Sequence, residues 1–171
     1  MTSIVRATVN DAHVLSELAI STFIESHGHS AKIEDINKFV ADNYNPTILL
    51  EELSDPRNIF HLIYFNNQIA GYSKIILNCP YKNSKEENVT KLERIYLLKE
   101  FYGLNLGSAL FDFIIELITK NDQVGVWLFV WTENERAFNF YKKKGFAIIG
   151  SYEYKISETH SNPNYQMLLK F

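Results

Sequence analysis

The sequence predicts an α/β fold in which about four helices flank a single central, twisted mixed sheet of about seven strands. Two observations support this prediction. The 171-residue chain is 46% apolar and 22% charged, which suits one domain with one core. Its strand-like segments are joined either by short turns, which favour antiparallel pairing, or by helices, which favour parallel pairing. We therefore expect residues 1–171 to form a single domain.

The first predicted elements are one strand and two helices. Residues 4–7 are strand-like, and Thr8 and Asp11 have the spacing of a capping box, with Asp in place of the usual Glu. A second helix is predicted over residues 33–44, ended by Pro46. The first helix runs to about residue 23, because apolar residues recur at steps of three and four: Ala12, Leu15, Leu18, Ala19 and Phe23.

The middle of the chain contains a predicted hairpin and a third strand. Residues 59–65 and 69–77 are rich in β-branched and aromatic side chains, and the turn-forming segment 66–68 joins them. The polar, charged segment 80–91 is predicted to be a surface loop. Residues 92–98 are predicted to be the next strand.

The second half of the chain alternates helix and strand. Apolar residues keep a helical period from Leu106 onward, which predicts a well-buried helix. The apolar run VGVWLFVW at residues 124–131 is typical of a strand covered on both faces. Residues 133–144 form the last predicted helix. Strands follow at residues 147–156 and 165–170, separated by the turn-rich sequence SETHSNPN.

The composition excludes several classes of protein. With 17 basic and 20 acidic residues, the formal charge is −3, so no nucleic-acid partner is expected, whereas a cationic small molecule is compatible. No run of about 18 uncharged apolar residues predicts a membrane span. The N-terminus has no signal pattern, and the lone Cys79 excludes an internal disulfide, so we expect a cytoplasmic protein. A homodimer is the commonest default assembly.

Residues that tolerate unusual backbone conformations stand at alternate positions before the Leu106 helix. These residues are Gly103, Asn105 and Gly107. Gly and Asn adopt positive φ more easily than other residues, so such a loop can direct several N–H groups toward one point. Together with the N-terminus of the following helix, the loop predicts an anion site. The competing interpretation is an ordinary turn before a helix.

The last predicted helix carries a second pattern. Asn134 and Tyr141 are seven residues apart, close to two helical turns, so they share one face and a single ligand can contact both. In the competing interpretation, Asn134 caps the helix, Tyr141 packs in the core and Gly145 ends the helix.

The two patterns together resemble the signature of the GCN5-related N-acetyltransferase (GNAT) superfamily. Its downstream motif, Asn-x-x-Ala-x-x-x-Tyr-x-x-x-Gly-Phe, is matched in full by Asn134, Ala137, Tyr141, Gly145 and Phe146. The strands VWLFVW before it and AIIGSYEY after it also stand where the family has them. The resemblance covers essentially the whole chain. It implies the GNAT fold and acetyl transfer from acetyl-CoA to an amine.

The upstream motif departs from the family pattern. The family has Arg/Gln-x-x-Gly-x-Gly/Ala between strand and helix. Here Tyr102 replaces Arg or Gln and Asn105 replaces the first glycine, whereas Gly103, Gly107 and Ser108 fit. Asn also adopts the left-handed conformation, so the phosphate-binding turn is still predicted. The missing Arg or Gln side chain puts the strength of pyrophosphate binding in question.

The resemblance also implies where acetyl-CoA binds, without a metal ion. The backbone of Ile95, Tyr96 and Leu97 is expected to pair with the pantetheine arm like an additional strand, and Asn134 and Tyr141 are expected to contact the cofactor. The pyrophosphate is expected at the turn and the start of the helix: Tyr102, Gly103, Leu104, Asn105, Leu106, Gly107 and Ser108.

Acetylation of an amine needs a base, an oxyanion stabiliser and an acid. An alkyl ammonium has a pKa of about 10 and must lose a proton before it attacks. We select Glu93, on the strand beside the cofactor, as the base; the competing interpretation pairs it with Arg94 or a lysine. The resemblance implies that a backbone N–H near residues 95–97 supports the oxyanion and that Tyr141 donates its proton to the departing thiolate.

Other reactive residues fit a catalytic role less well. Cys79 has no His patterned beside it, so a cysteine nucleophile is rejected. His27 and His29, with Glu25 nearby, lack a third ligand at a recognised metal spacing and are interpreted as loop or acceptor-site residues.

Within the superfamily, the chain looks most similar to bacterial polyamine acetyltransferases that act on spermidine and spermine. The segments that carry this similarity are STFIESHG, QIAGYSKI, LERIYL and VWLFVWTENERAFNFYKKKGF. A small cationic amine would contact carboxylates and aromatic faces, for which Glu25, Tyr44 and Glu93 are available, with His27 also placed in the acceptor site. The alternatives are another acceptor (an amino acid, an aminoglycoside or a protein N-terminus), or a CoA-binding regulatory domain with little turnover.

Overall fold

The computed structural model describes all residues from Met1 to Phe171, and one seven-stranded mixed sheet forms its centre. Strands β1 to β7 span, in chain order, Thr2–Arg6, Asn58–Phe65, Gln68–Ile76, Val89–Leu97, Gly125–Trp131, Ala147–Lys155 and Ser161–Lys170. Helices α1 to α5 span Ala12–His27, Ile33–Asn43, Pro46–Ser54, Leu106–Lys120 and Glu135–Lys143. The predicted α/β class with a mixed sheet is confirmed, with five α-helices in place of about four.

The strand order is β1-β2-β3-β4-β5-β7-β6, and only β4 and β5 pair in parallel. That parallel pairing covers just three residue pairs, between Val89–Lys91 and Gly125–Trp127. Beyond Lys91, β4 pairs with β3 alone, and beyond Trp127, β5 pairs with β7 alone. The sheet therefore separates at its middle, and one edge of β4 faces an opening.

Helices cover both faces of the sheet and bury two apolar cores. Helices α1, α2 and α3 lie on one face and α4 and α5 on the other. The alternation of side chains along each strand supplies both cores; in β2, for example, Phe60 and Leu62 face α1 whereas Ile63 faces α4. Strand β5 is buried along almost its whole length, as its continuous apolar run predicted.

The predicted second helix is confirmed over Ile33–Asn43, but Pro46 also begins a further helix, α3, that was not predicted. Helix α2 ends at Asn43, and the side chain of Asn45 then accepts a hydrogen bond from the N–H of Ile48 at 3.0 Å. Proline is favoured at the first position of a helix, where its missing N–H would have no helical partner anyway. An N-cap followed by proline was therefore the signal for a new helix.

Three other boundaries differ from the prediction because long-range pairing overrides local composition. Strand β4 begins at Val89, inside the predicted loop, since its first residues pair with β5. Strand β7 begins at Ser161 and pairs with β5 and β6 despite its polar sequence. Helix α1 continues one turn beyond Phe23, to His27. The carboxylate of Asp11 accepts the Thr8 N–H at 2.7 Å as predicted, although this cap precedes a short 3-10 turn rather than α1 itself.

Candidate active site

A cavity of about 400 Å³ occupies the opening between β4 and β5 and is here called the central cavity. It is lined by residues of α1, β4, β5, α5, β6 and β7. Glu93, Ile95, Tyr96 and Leu97 all line it from the edge of β4 that has no partner strand. These four residues, predicted beside the ligand, thus line one cavity, and the free edge leaves backbone groups without a strand partner.

A second cavity of about 470 Å³, the outer cavity, adjoins the first at the N-terminus of α4. Four residues line both cavities: Leu97, Gly107, Arg136 and Phe140. Within the outer cavity lie Gly103, Asn105, Leu106, Gly107 and Ser108, all predicted for the phosphate turn. Lys143 and Lys144 line it as well, and no carboxylate does. Its charge suits an anionic ligand.

The turn before α4 has the predicted backbone conformation. Gly103 has φ +82°, and Asn105, the residue preceding α4, is left-handed with φ 61° and ψ 13°. The first N–H groups of a helix have no helical acceptor, so those of the first turn of α4 are available to a ligand. Leu104, also predicted for this turn, is 46% exposed and lines neither cavity.

Asn134 and Tyr141 occupy one face of α5, and each combines the two interpretations that the sequence left open. Asn134 caps the helix by accepting the N–H of Ala137 at 3.2 Å, and it also lines the central cavity. Tyr141 is 8% exposed and packs edge-on against Phe146, yet it also lines that cavity. Burial raises the pKa of the Tyr141 phenol, so this hydroxyl stays protonated at neutral pH.

We call the part of the central cavity next to α4 and α5 the cofactor side and the part next to α1, β6 and β7 the acceptor side. All three predicted substrate-binding residues, Glu25, His27 and Tyr44, line the acceptor side. Sequence reasoning missed several others there, including Trp131, Tyr154 and Asn162. No local sequence motif predicts these residues, because they come together only through the pairing of β5, β6 and β7.

Glu93 belongs to an ion-pair network behind the acceptor side. It pairs with Lys74, and its Oε1 lies 3.4 Å from the Nζ of Lys91. Lys74 also contacts Glu52 at 3.2 Å, and Arg94 donates two hydrogen bonds of 2.9 Å to Glu52. Glu93 is therefore paired with lysine, as one of the two interpretations of the sequence expected, and it also lines the central cavity.

The charges of this network determine the ionisation of Glu93. Burial pushes the pKa of Glu93 up, but the charge of Lys74, a hydrogen bond from the same ammonium, and the charges of Arg94 and Lys91 together hold this pKa below its ordinary value. Glu93 is therefore ionised at neutral pH and able to accept a proton.

The other predicted acceptor residues also have partners within the protein. Glu25 accepts the backbone N–H of Lys99 at 2.7 Å. The guanidinium of Arg94 lies 5.0 Å from the centre of the Tyr44 ring and covers one face of it. His27 stacks on Phe23 with ring centres 5.0 Å apart, and burial, aided by the charge of His29, lowers the pKa of His27 to about 4. His27 is therefore neutral at pH 7.

Cys79 lies outside both cavities, where its carbonyl accepts the indole N–H of Trp127 at 2.7 Å. No group of three or more His, Cys, Asp or Glu side chains is arranged to hold a metal ion. None of the helices combines the length and apolar character needed to cross a bilayer.

The sequence profile of the Acetyltransferase (GNAT) family matches residues 14–146, which include both motifs, the lining of the outer cavity and most of the lining of the central cavity. The chain belongs to the GNAT family of acetyltransferases. This GNAT chain is 32% identical over 149 residues, 86% of each sequence, to an uncharacterised N-acetyltransferase from Lactobacillus delbrueckii subsp. lactis. It is accordingly an acyl-CoA-dependent N-acetyltransferase.

Solved structures share the GNAT fold at lower sequence identity. The PaiA N-acetyltransferase from Thermoplasma acidophilum, in complex with coenzyme A, superposes with a TM-score of 0.79 at 20% identity and covers 100% of this chain and 99% of that one. The aminoglycoside acetyltransferase AAC(6′)-Ib, also in complex with coenzyme A, gives a TM-score of 0.67 at 20% identity, covering 99% and 95%. Acetyl-CoA is the co-substrate, and the free strand edge beside a carboxylate-free outer cavity fits its pantetheine arm and phosphates.

Proposed function

We propose that this enzyme acetylates a small cationic amine such as spermidine or spermine by direct attack within a ternary complex. The observation that carries the proposal is one continuous cavity lined by both Glu93 and Tyr141. Acetyl-CoA would supply the acetyl group and leave as the thiolate. The amine would approach from the acceptor side, so both reactants meet without a covalent enzyme intermediate.

In this proposal the cofactor side holds CoA through main-chain groups. Ile95, Tyr96 and Leu97 offer the edge of β4 to the pantetheine arm, since β5 does not pair with them. The turn at Gly103 and Asn105 leads the chain toward the first N–H groups of α4, where phosphates would bind. The shared lining residues, among them Gly107, connect the two subsites.

Glu93 is proposed as the base that removes the proton from the acceptor amine, directly or through one water molecule. It is ionised at neutral pH, and it lies on the strand that would bind the pantetheine. Its neighbour Lys74 disperses the negative charge but is itself shared with Glu52. An amine that loses its proton to Glu93 becomes nucleophilic at a pH where free alkylamines are almost entirely protonated.

Tyr141 is proposed as the hydrogen-bond donor to the sulfur atom as the bond between carbon and sulfur breaks. The raised pKa of this buried phenol keeps its proton in place over the working pH range, so Tyr141 acts as a donor and not as a base. Tyr141 shares one face of α5 with Asn134, and both residues line the part of the central cavity next to that helix.

Support for a polyamine comes from the carboxylates and aromatic rings of the acceptor side. Glu25 lies at the cavity wall with its charge uncompensated by a cation, since its partner is the Lys99 N–H. The aromatic rings of Trp131, Tyr96 and Tyr154 line the same region, and ammonium groups bind favourably over such faces.

One observation favours a second class of acceptor. The network behind Glu93 contains three cations, Lys74, Lys91 and Arg94, so it offers no surplus of negative charge to a polycation. An amine with fewer positive charges, such as an amino acid or a protein N-terminus, would be repelled less by these three cations than spermine would.

An acceptor screen tests the proposal. Release of free thiol from acetyl-CoA would be followed with spermidine, spermine, an aminoglycoside, lysine and an N-terminal peptide, each at the same concentration. We expect the largest kcat/KM for a polyamine. A larger value for the amino acid or peptide overturns the polyamine assignment, and the absence of release with every amine overturns the proposed reaction.

A further inference from the structure

Arg136 has an unusual environment for an exposed arginine. Its guanidinium carbon lies 3.4 Å from the centre of the Tyr102 ring, which is the distance of a close face-to-face stack. Arg136 takes part in none of the ion pairs of the protein. The side chain is therefore held in place by an aromatic platform while its charge has no protein partner.

The stack of Arg136 on Tyr102 lies where the central and outer cavities meet. Arg136 lies in the first turn of α5, and it is one of the four residues that line both the central and the outer cavity. Tyr102 lines the central cavity directly before the turn at Gly103. A ligand that extends from one cavity into the other has to pass the guanidinium.

A stacked guanidinium is well suited to bind a phosphate. Stacking uses the faces of the planar group and leaves the N–H donors at its rim free to form paired hydrogen bonds to two oxygen atoms. It also restricts the rotamers of a flexible side chain before the ligand arrives, which lowers the entropy lost on binding. Lys144, by comparison, pairs with Asp112 at 2.7 Å and lines only the outer cavity.

We propose that Arg136, stacked on Tyr102, binds the pyrophosphate of CoA and supplies from α5 the positive charge that the turn lacks at position 102. The inference rests on the proposed placement of the cofactor, but not on the acceptor. It also gives Tyr102 a role as the platform that orients Arg136. The two residues act as a pair from different elements of the fold.

Titration calorimetry with CoA, dephospho-CoA and pantetheine tests the pair without any acceptor. For Arg136→Gln we expect the Kd of CoA and of dephospho-CoA to rise by about 10- to 100-fold, the size of a charge-assisted contact. The Kd of pantetheine, which has no pyrophosphate, should not change. A loss seen with CoA but not with dephospho-CoA would place Arg136 at the 3′-phosphate, and an equal loss with pantetheine would make its role structural; either result overturns the proposal.

A rescue variant makes the test more specific. Tyr102→Arg in the Arg136→Gln background returns a cation to the turn and should restore the Kd of CoA to within about threefold of the wild-type value. If the Kd of CoA is not restored, one cation cannot replace the other and the proposal is contradicted.

Lys142→Gln is the matched control, because Lys142 is on the same helix, lies over Phe138 and lines neither cavity. All variants should melt within a few degrees of the wild type. If no amine is ever acetylated, the CoA measurements still decide this proposal.

Discussion

Of the three cations that line the outer cavity, Arg136 and Lys143 have no carboxylate partner, whereas Lys91 and Arg94, beside the acceptor side, each contact a glutamate. In the proposed arrangement, the outer cavity thus exposes backbone donors and two unpaired cations to CoA. In the proposed acceptor site the charges around Glu93 are balanced within the protein, and only Glu25 among the lining carboxylates has no cationic partner. Selectivity would then depend on shape, aromatic surface and the charge of Glu25.

The largest effect, on the free energy of unfolding, is expected when an ion pair of the network behind the acceptor side is removed. Glu52→Gln removes the charge that faces both Arg94 and Lys74, two cations whose side chains are only 12% and 6% exposed. Leaving buried cations without their partner should lower the free energy of unfolding by about 3 kcal/mol. Urea denaturation of this variant is compared with that of Glu51→Gln, the exposed neighbour on α3. Equal stability of the two variants would show that the network is not a source of stability.

Gly107→Val should nearly abolish CoA binding while the fold survives. A Cβ atom at Gly107 would meet only the Leu97 Cδ1, at an ordinary 3.7 Å, so the protein itself has room for it. The ligand would not, since Gly107 lines both cavities. We expect the Kd of CoA to rise by at least about 100-fold. Glu116→Val, which puts the same side chain on the solvent face of α4, is the control. Retained affinity in Gly107→Val would mean that the cofactor lies elsewhere.

Tyr141→Phe should lower kcat by about 100-fold and leave the Kd of CoA unchanged, because a donor to the leaving sulfur matters only as the bond breaks. Since burial raises the pKa of Tyr141, the wild-type rate should not fall at alkaline pH through this group below about pH 10. Tyr165→Phe, outside both cavities, controls for loss of a hydroxyl. An unchanged kcat removes Tyr141 from the mechanism.

Glu93→Gln is expected to lower kcat/KM by at least about tenfold at neutral pH. The dependence of the wild-type activity on pH should also show that the pKa of Glu93 is lowered. Because the folded-state pKa of Glu93 lies below its ordinary value of 4.5, the carboxylate is ionised at and above that value, and activity that depends on it is lost only as pH falls below about 4.5. Glu87→Gln on the exposed loop is the control. An acidic limb near pH 6 to 7 would point to a different base.

The smallest effect is expected for Glu25→Gln. Glutamine still accepts the Lys99 N–H, so this variant removes the charge and keeps the hydrogen bond. If the charge attracts a polyamine, the KM for spermidine should rise by about three- to tenfold, with kcat unchanged. A monoamine should show no change. The exposed Glu17→Gln on α1 is the matched control. An equal KM for spermidine in both variants would remove Glu25 from acceptor binding.

These two sides also differ in how far the sequence predicts them. The turn at Gly103 and Asn105 and the face shared by Asn134 and Tyr141 follow from spacing within single elements, because helical period and backbone tolerance are local properties. Arg136 lies inside that same motif, but only the structure shows that it stacks on Tyr102, 34 positions earlier in the chain.

The acceptor side depends on contacts between distant segments. Glu52 on α3 meets Arg94 on β4, and α3 itself was missed because Pro46 was interpreted as a stop rather than a first helical residue. Polar β7 was predicted four residues too short, since its pairing with β5 and β6 is not visible in its composition. Topology, and not propensity, decides these features.

The three-pair junction between β4 and β5 also bears on the stability of the protein. A sheet that stays open at its centre has an internal edge whose hydrogen bonds can be completed by an extended ligand. Binding to the folded state alone raises stability by mass action, by about 2.7 kcal/mol when the ligand is at 100 times its Kd. Thermal resistance and the half-life against proteolysis should therefore increase with the concentration of CoA.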